Sequence, residues 1–191
     1  MKYNRSELSK ELDAHRTRAR RLVSGLTAEQ LTWRPDPSKW SIAECIAHLN
    51  VTATAVQKFM DRAIERGRQE KKSGSGPFSI GPKGWLMVWV AEPPPKFRLR
   101  APKNVRPPAT IADPLQLLPE FLYTQEEWER LMREQEGLDL ARIIVGQGPF
   151  RMRLAAALPW MMAHQRRHLL QAENVKRQIK PIASSSSMGA S

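Results

Sequence analysis

The tightest constraint this sequence places on its own fold is the spacing of apolar residues near its start. Between Ser6 and Leu26, the positions Leu8, Leu12, His15, Ala19, Leu22 and Leu26 follow one another at intervals of 4, 3, 4, 3 and 4. All six therefore share one face of a helix, and that face needs a partner. A second stripe of the same period runs through Ile42, Ile46, Leu49, Ala53, Val56, Met60 and Ile64 and ends near Gly67. Its start is marked by Ser41 and Glu44, the Ser-x-x-Glu pattern in which hydroxyl and carboxylate satisfy free backbone amides reciprocally. A third helix is expected from near Pro119, through Leu122, Trp128, Leu131, Met132 and Gln135, to a stop at Gly137. The fourth runs from about Leu154 to Gln178, with Pro159 either in its first turns or at a kink. Four helices without a convincing alternating strand predict an all-α bundle, one domain over residues 1–180.

The connections are uneven. Residues 27–37 read as a short connector broken by Pro35 and Pro37, whereas residues 71–113, rich in glycine and then proline, form a long crossover between the second and third helices. A crossover of this length frees the flanking helices from being antiparallel neighbours, and long loops in compact domains are often functional. Its apolar run Trp85-Leu86-Met87-Val88-Trp89-Val90-Ala91 is far short of the roughly 20 residues that span a bilayer. It reads as a short buried helix or a pocket wall, with Trp85, Trp89 and Trp160 packing a core or lining a pocket. The serine-rich end, residues 181–191, is expected to be a disordered tail.

Composition narrows the chemistry. With 41% hydrophobic residues, the 191-residue chain can bury a substantial core. Its one cysteine, Cys45, excludes an intrachain disulfide and cysteine-rich zinc modules, and points to a reducing cytoplasm. The first residues carry charge but no apolar stretch that would read as a signal peptide. A net charge of +12 attracts phosphates, nucleic acid or acidic membranes without choosing among them. The basic residues are dispersed and unaccompanied by a nucleic-acid-binding motif. Non-specific nucleic-acid binding is therefore the least favoured reading, and a solvated basic surface the default.

Only four histidines occur. His164 and His168 stand four apart in the last helix, on one face and one turn apart, the spacing that grips a single ion. His48 lies in the capped second helix, and a fold that brings the two helices together completes a three-histidine site. Three neutral imidazoles suit a borderline divalent cation and leave a position open for water or a thiol. His15, on the apolar stripe of the first helix, reads as a hydrogen-bonded core histidine or as a group facing the cavity, where it would be a fourth ligand, a donor behind the ligands or a proton shuttle. Cys45 shares much of the face of His48 and is either a small core residue or a neighbour of the metal. Glu44 is explained by its cap, although a base one turn from His48 is the alternative. Gln171, three residues after His168, is placed to orient a ligand or substrate. Arg166 and Arg167 belong to a solvated face or pair with an acidic substrate.

Taken together, Trp33 to Glu44 leading into His48-Leu49, the loop from Phe97 to Pro102, Gly137-Leu138-Asp139-Leu140, and His164-Gln165-Arg166-Arg167-His168 with Gln171 resemble the DinB-like (YfiT-type) metal-binding four-helix bundles. The resemblance implies an up-down-down-up bundle, frequently a homodimer. It implies zinc or nickel, with iron or manganese as alternatives, held by His48, His164 and His168. It also implies a metal-dependent enzyme that activates a low-molecular-weight thiol or water for S-transfer or hydrolysis of a small molecule. A non-catalytic metal-binding or regulatory bundle is the rival reading.

Overall fold

The computed structural model describes residues 2, 4–94 and 101–179. The expected tail, and Phe97 to Arg100 of the loop, lie outside them. Four long helices make the bundle: α1 (Arg5–Val23), α3 (Ile42–Gln69), α5 (Leu117–Glu134) and α6 (Leu154–Lys176). Two shorter helices accompany them, α2 (Ala28–Thr32) and α4 (Gly81–Ala91). A small antiparallel ribbon pairs β1 (Ile144–Val145) with β2 (Met152–Arg153), an element too short for sequence periodicity to reveal.

Each start has a local cause. Asn4 accepts from the Glu7 amide to open α1, and Thr27 with Gln30 forms a capping box on α2. The box expected on α3 is present: Ser41 Oγ accepts from the Glu44 amide at 3.1 Å, and the Glu44 carboxylate accepts from the Ser41 amide at 2.9 Å. The first helix stops at Val23, short of Leu26, because Gly25 takes a left-handed φ of 74° that turns the chain. Pro159 sits inside α6, in its second turn.

Side-chain pairs between helices fix their directions. His15 meets Gln165, Arg18 meets Glu173 and Lys176 reaches the Leu22 carbonyl, so α1 and α6 run parallel. Arg16 meets Glu129 while Arg5 meets Glu136, so α5 runs against α1. Asn50 reaches the Leu117 carbonyl, Gln57 that of Thr124 and Arg68 that of Glu134, so α3 and α5 are parallel. The order is therefore up, down, down, up, and α3 packs against both α5 and α6. The residues between α3 and α5 make the long crossover that two parallel neighbours require.

The core divides into two clusters. One gathers Leu8, Leu12, Met60, Ile64, Trp128, Leu131 and the small residues at the start of α6; the other gathers Ala19, Leu22, Ile42, Ile46, Phe121 and Leu169. The crossover is not wholly irregular, since α4 lies within it and packs on α6. Its burial is the reverse of the expectation. Gly84, Val88 and Ala91 face inward, whereas Trp85 and Trp89 stack on each other at the surface, 49% and 40% exposed. The cause is close approach: a Cβ at Gly84 would stand 2.6 Å from that of Ala156, so only small residues fit the inner face.

Candidate metal centre

The antiparallel contact of α3 and α6 brings His48, in the second turn of α3, against His164 and His168 in the middle of α6. Each of the three rings offers a nitrogen, and these lie within 4.8 Å of one another. His48 and His168 are buried and His164 is half-buried. The Nε2 atoms of His48 and His164 stand 3.2 Å apart. Two imidazole ligands on one tetrahedral zinc ion are separated by about 3.3 Å, given bonds of roughly 2.0–2.1 Å.

The far sides of two rings are tied down. His48 Nδ1 donates to the Val105 carbonyl at 2.6 Å, and His168 Nδ1 donates to Gln171 Oε1 at 3.0 Å. A proton fixed on Nδ1 leaves a lone pair on Nε2, aimed into the cluster. His164 Nδ1 is buried and has no hydrogen-bond partner among the described residues. Trp40 lies 4.9 Å from His48 and 5.7 Å from His168, ring centre to ring centre, and Trp160 stacks on His164 at 5.5 Å. These indoles stand against the rings as walls of the cluster.

Burial keeps the rings neutral. It depresses His48 against the opposing hydrogen bond from Val105, depresses His164 well below the ordinary imidazole value with help from His168, His48 and Arg167, and takes His168 down to about 3. Neutral imidazoles are the form that binds metal. The donor type, the spacing and the pinned tautomers thus fit a divalent ion.

The remaining candidates have other duties. Glu44, besides closing its cap, is bound by Arg34 through two hydrogen bonds of 2.7 and 2.5 Å, so both of its carboxylate oxygens are engaged. Cys45 is fully buried in the second core cluster, its thiol pushed up by burial, and its sulfur is not among the ligand atoms that gather. His15 is buried outside the cluster, its Nδ1 2.8 Å from Gln165 Oε1, and it reaches α6 through the neighbour of His164. Arg166 pairs with Glu11 and Glu92, and Arg167 donates to the Val90 carbonyl. Two participants escaped sequence reasoning. Trp40 stands just before the Ser41 cap and was not singled out for the site, and Val105 acts through its backbone, which leaves no trace in residue type.

The four neutral histidines carry a pH dependence. In the fold His15 is held down to about 4 by burial and His168 to about 3, whereas in an unfolded chain each returns to the ordinary value near 6.5. The unfolded chain therefore binds more protons as pH falls below 6.5, and the stability present above that value is progressively lost. His15 alone contributes on the order of 3 kcal/mol to the loss by pH 4. Urea unfolding of metal-free protein is expected to show declining stability from about pH 7 to about pH 5, where carboxylates remain ionised. A flat profile over that interval would contradict the neutral, buried state.

The topology and the histidine cluster together define a class, the four-helix bundle whose second and last bundle helices meet at a cluster of imidazoles. The sequence profile of the DinB superfamily matches residues 11–172, and the chain belongs to that superfamily. Among solved structures it is similar to YfiT from Bacillus subtilis, described as a probable metal-dependent hydrolase with an unusual four-helix bundle topology. The TM-score is 0.60 at 13% sequence identity, over 91% of this chain and 86% of YfiT. No curated protein matches the sequence. Among the described residues, no helix is long and apolar enough to cross a membrane.

Proposed function

We propose that this protein is a divalent-metal-dependent enzyme, of thiol S-transferase or hydrolase type, with His48, His164 and His168 as the metal ligands. The observation that carries the reading is the convergence of three neutral imidazoles, two of them with the outer nitrogen already committed to Val105 or Gln171. Bound there, a divalent ion supplies the Lewis acidity that makes a water or a thiol nucleophilic at neutral pH. The chain does the rest. Three protein ligands leave room for the reacting group, Trp40 and Trp160 wall the flanks, and Arg167 adds positive potential beside His164 and His168 that favours an anionic nucleophile. Zinc or nickel is the expected ion, a low-molecular-weight thiol the expected co-substrate and a homodimer the expected assembly.

Metal removal tests the proposal. Protein stripped by a chelator and reloaded with zinc or nickel is expected to regain turnover in a screen of thiol transfer and ester or amide hydrolysis, in proportion to metal bound. Equal activity in stripped protein overturns the metal-dependent reading. A large rise in stability on loading, with no turnover across the screen, would assign the ion to stapling α3 and α6 together instead.

A further inference from the structure

We infer that the hollow where the C-terminal end of α3 meets the β1–β2 ribbon is a second binding site, for a small, multiply charged oxyanion such as diphosphate. The hollow has a volume of about 470 Å³ and is lined by Arg66, Lys72, Arg151 and the loop containing Gly146 and Gly148. An adjoining hollow of about 120 Å³ adds Arg62. Ligand pockets begin at roughly 300 Å³, so the larger hollow is sufficient for a small molecule.

Its charge is not neutralised by the protein. Lys72 pairs with Glu70, and Arg66 donates to the Ile144 carbonyl at 2.5 Å, which holds the guanidinium at the wall and leaves its other N–H groups available. The side chains of Arg62 and Arg151 make no hydrogen bond or ion pair with any described residue. Three cations thus line the larger hollow and Arg62 stands beside it, with Glu70 pairing one of the four. Such an arrangement opposes folding by self-repulsion and favours an anion that fills it. Guanidinium forks match phosphate oxygens in pairs, which selects an oxyanion over a simple halide.

The loop supplies a bare floor. Gly146 has a φ of 84°, and a Cβ there would meet the Phe150 carbonyl oxygen at 2.4 Å; Gly148 has a φ of 52°. Gly146 is therefore required by the turn itself, whereas at Gly148 nothing stands within 4 Å of where a Cβ would be, which leaves the backbone there open to a ligand. Arg66 lies 18 residues beyond His48 on the same helix, about 27 Å along its axis at 1.5 Å per residue, so this hollow is separate from the histidine cluster.

Titration calorimetry with inorganic diphosphate, at near-physiological salt, tests the inference. Saturable binding is expected, weakened at least about tenfold in Arg151→Ala and further in Arg66→Ala/Arg151→Ala. Arg151 is exposed and unpaired, so its variant keeps the fold, which circular dichroism checks. Binding is expected to survive in His48→Ala and in Arg20→Ala/Arg21→Ala, which removes two exposed cations elsewhere. Absence of saturation overturns the inference. So does equal weakening in the Arg20/Arg21 variant, which would reduce the effect to net charge, or loss in His48→Ala, which would move the anion to the histidine cluster.

Discussion

Alanine at His48, His164 or His168 is expected to give a folded bundle that no longer retains a stoichiometric divalent ion and has lost metal-dependent turnover. The expectation follows from the number of ligands. Three imidazoles converge with no fourth His, Cys, Asp or Glu ligand atom in their group among the described residues, so removing one leaves a two-coordinate site. Affinity is expected to fall by more than the roughly 10–100-fold that loss of a supporting hydrogen-bond partner costs. Gln171→Leu supplies that smaller step as an internal standard, because it releases His168 Nδ1 while leaving every ligand atom in place. The fold is expected to persist, since burial keeps all three rings neutral and polar groups buried this way contribute little to stability without an ion. Elemental analysis of purified proteins, with circular dichroism alongside, reads both quantities. Metal retained at wild-type stoichiometry in any of the three alanine variants would remove that residue from the ligand set.

The largest loss of stability is expected from Trp128→Ala. Trp128 is fully buried on α5, the largest side chain so enclosed, within the cluster that joins α1, α3, α5 and α6. Replacing it opens a cavity that rigid helices cannot close, and substitutions of this kind cost about 3–5 kcal/mol. For a chain of this size that corresponds to a fall in melting temperature of about 10 °C. Its indole Nε1 is buried without a hydrogen-bond partner among the described residues, so Trp128→Phe removes an unsatisfied donor and is expected to cost much less. Thermal unfolding of the two variants separates the terms. Equal losses would mean that the indole nitrogen carries an interaction the packing does not show.

The bundle helices were legible because burial on one face imposes a period, and the period survives in Leu8, Leu12, Ala19 and Leu22 and again in Ile42, Ile46, Leu49 and Ala53. The cap on α3 was legible because Ser41 and Glu44 act through side chains over three residues. His164 and His168 announced themselves by a local spacing. Their meeting with His48 was not written in any local pattern, because it depends on α3 and α6 running antiparallel at a register set by the whole core; only the family resemblance implied it. The outer face of α4 misled for a definite reason. Hydrophobicity normally marks the buried side, but the inner side of this helix is confined to Gly84, Val88 and Ala91 by its closeness to α6, and the tryptophans are turned outward. Glu44 and Cys45 were legible in their structural roles, because a capping box and a small apolar residue inside a helix are local features, whereas their nearness in sequence to His48 only suggested a part at the metal.

The parallel pairing of α1 with α6 has a consequence for the birth of the molecule on the ribosome. The long helices that α1 packs against, α5 and α6, begin only at Leu117 and Leu154, so the contacts that close the bundle join residues far apart in the sequence. Such non-local closure slows folding, because loop entropy is lost before native contacts compensate. Until α6 is made, the nascent chain exposes the apolar surface that α6 covers on α1 and α3 and carries only His48 of the cluster. The three imidazoles therefore come together only once α6 has been made, and a chain that stops before residue 164 lacks both the helix that seals the core and two of the three rings.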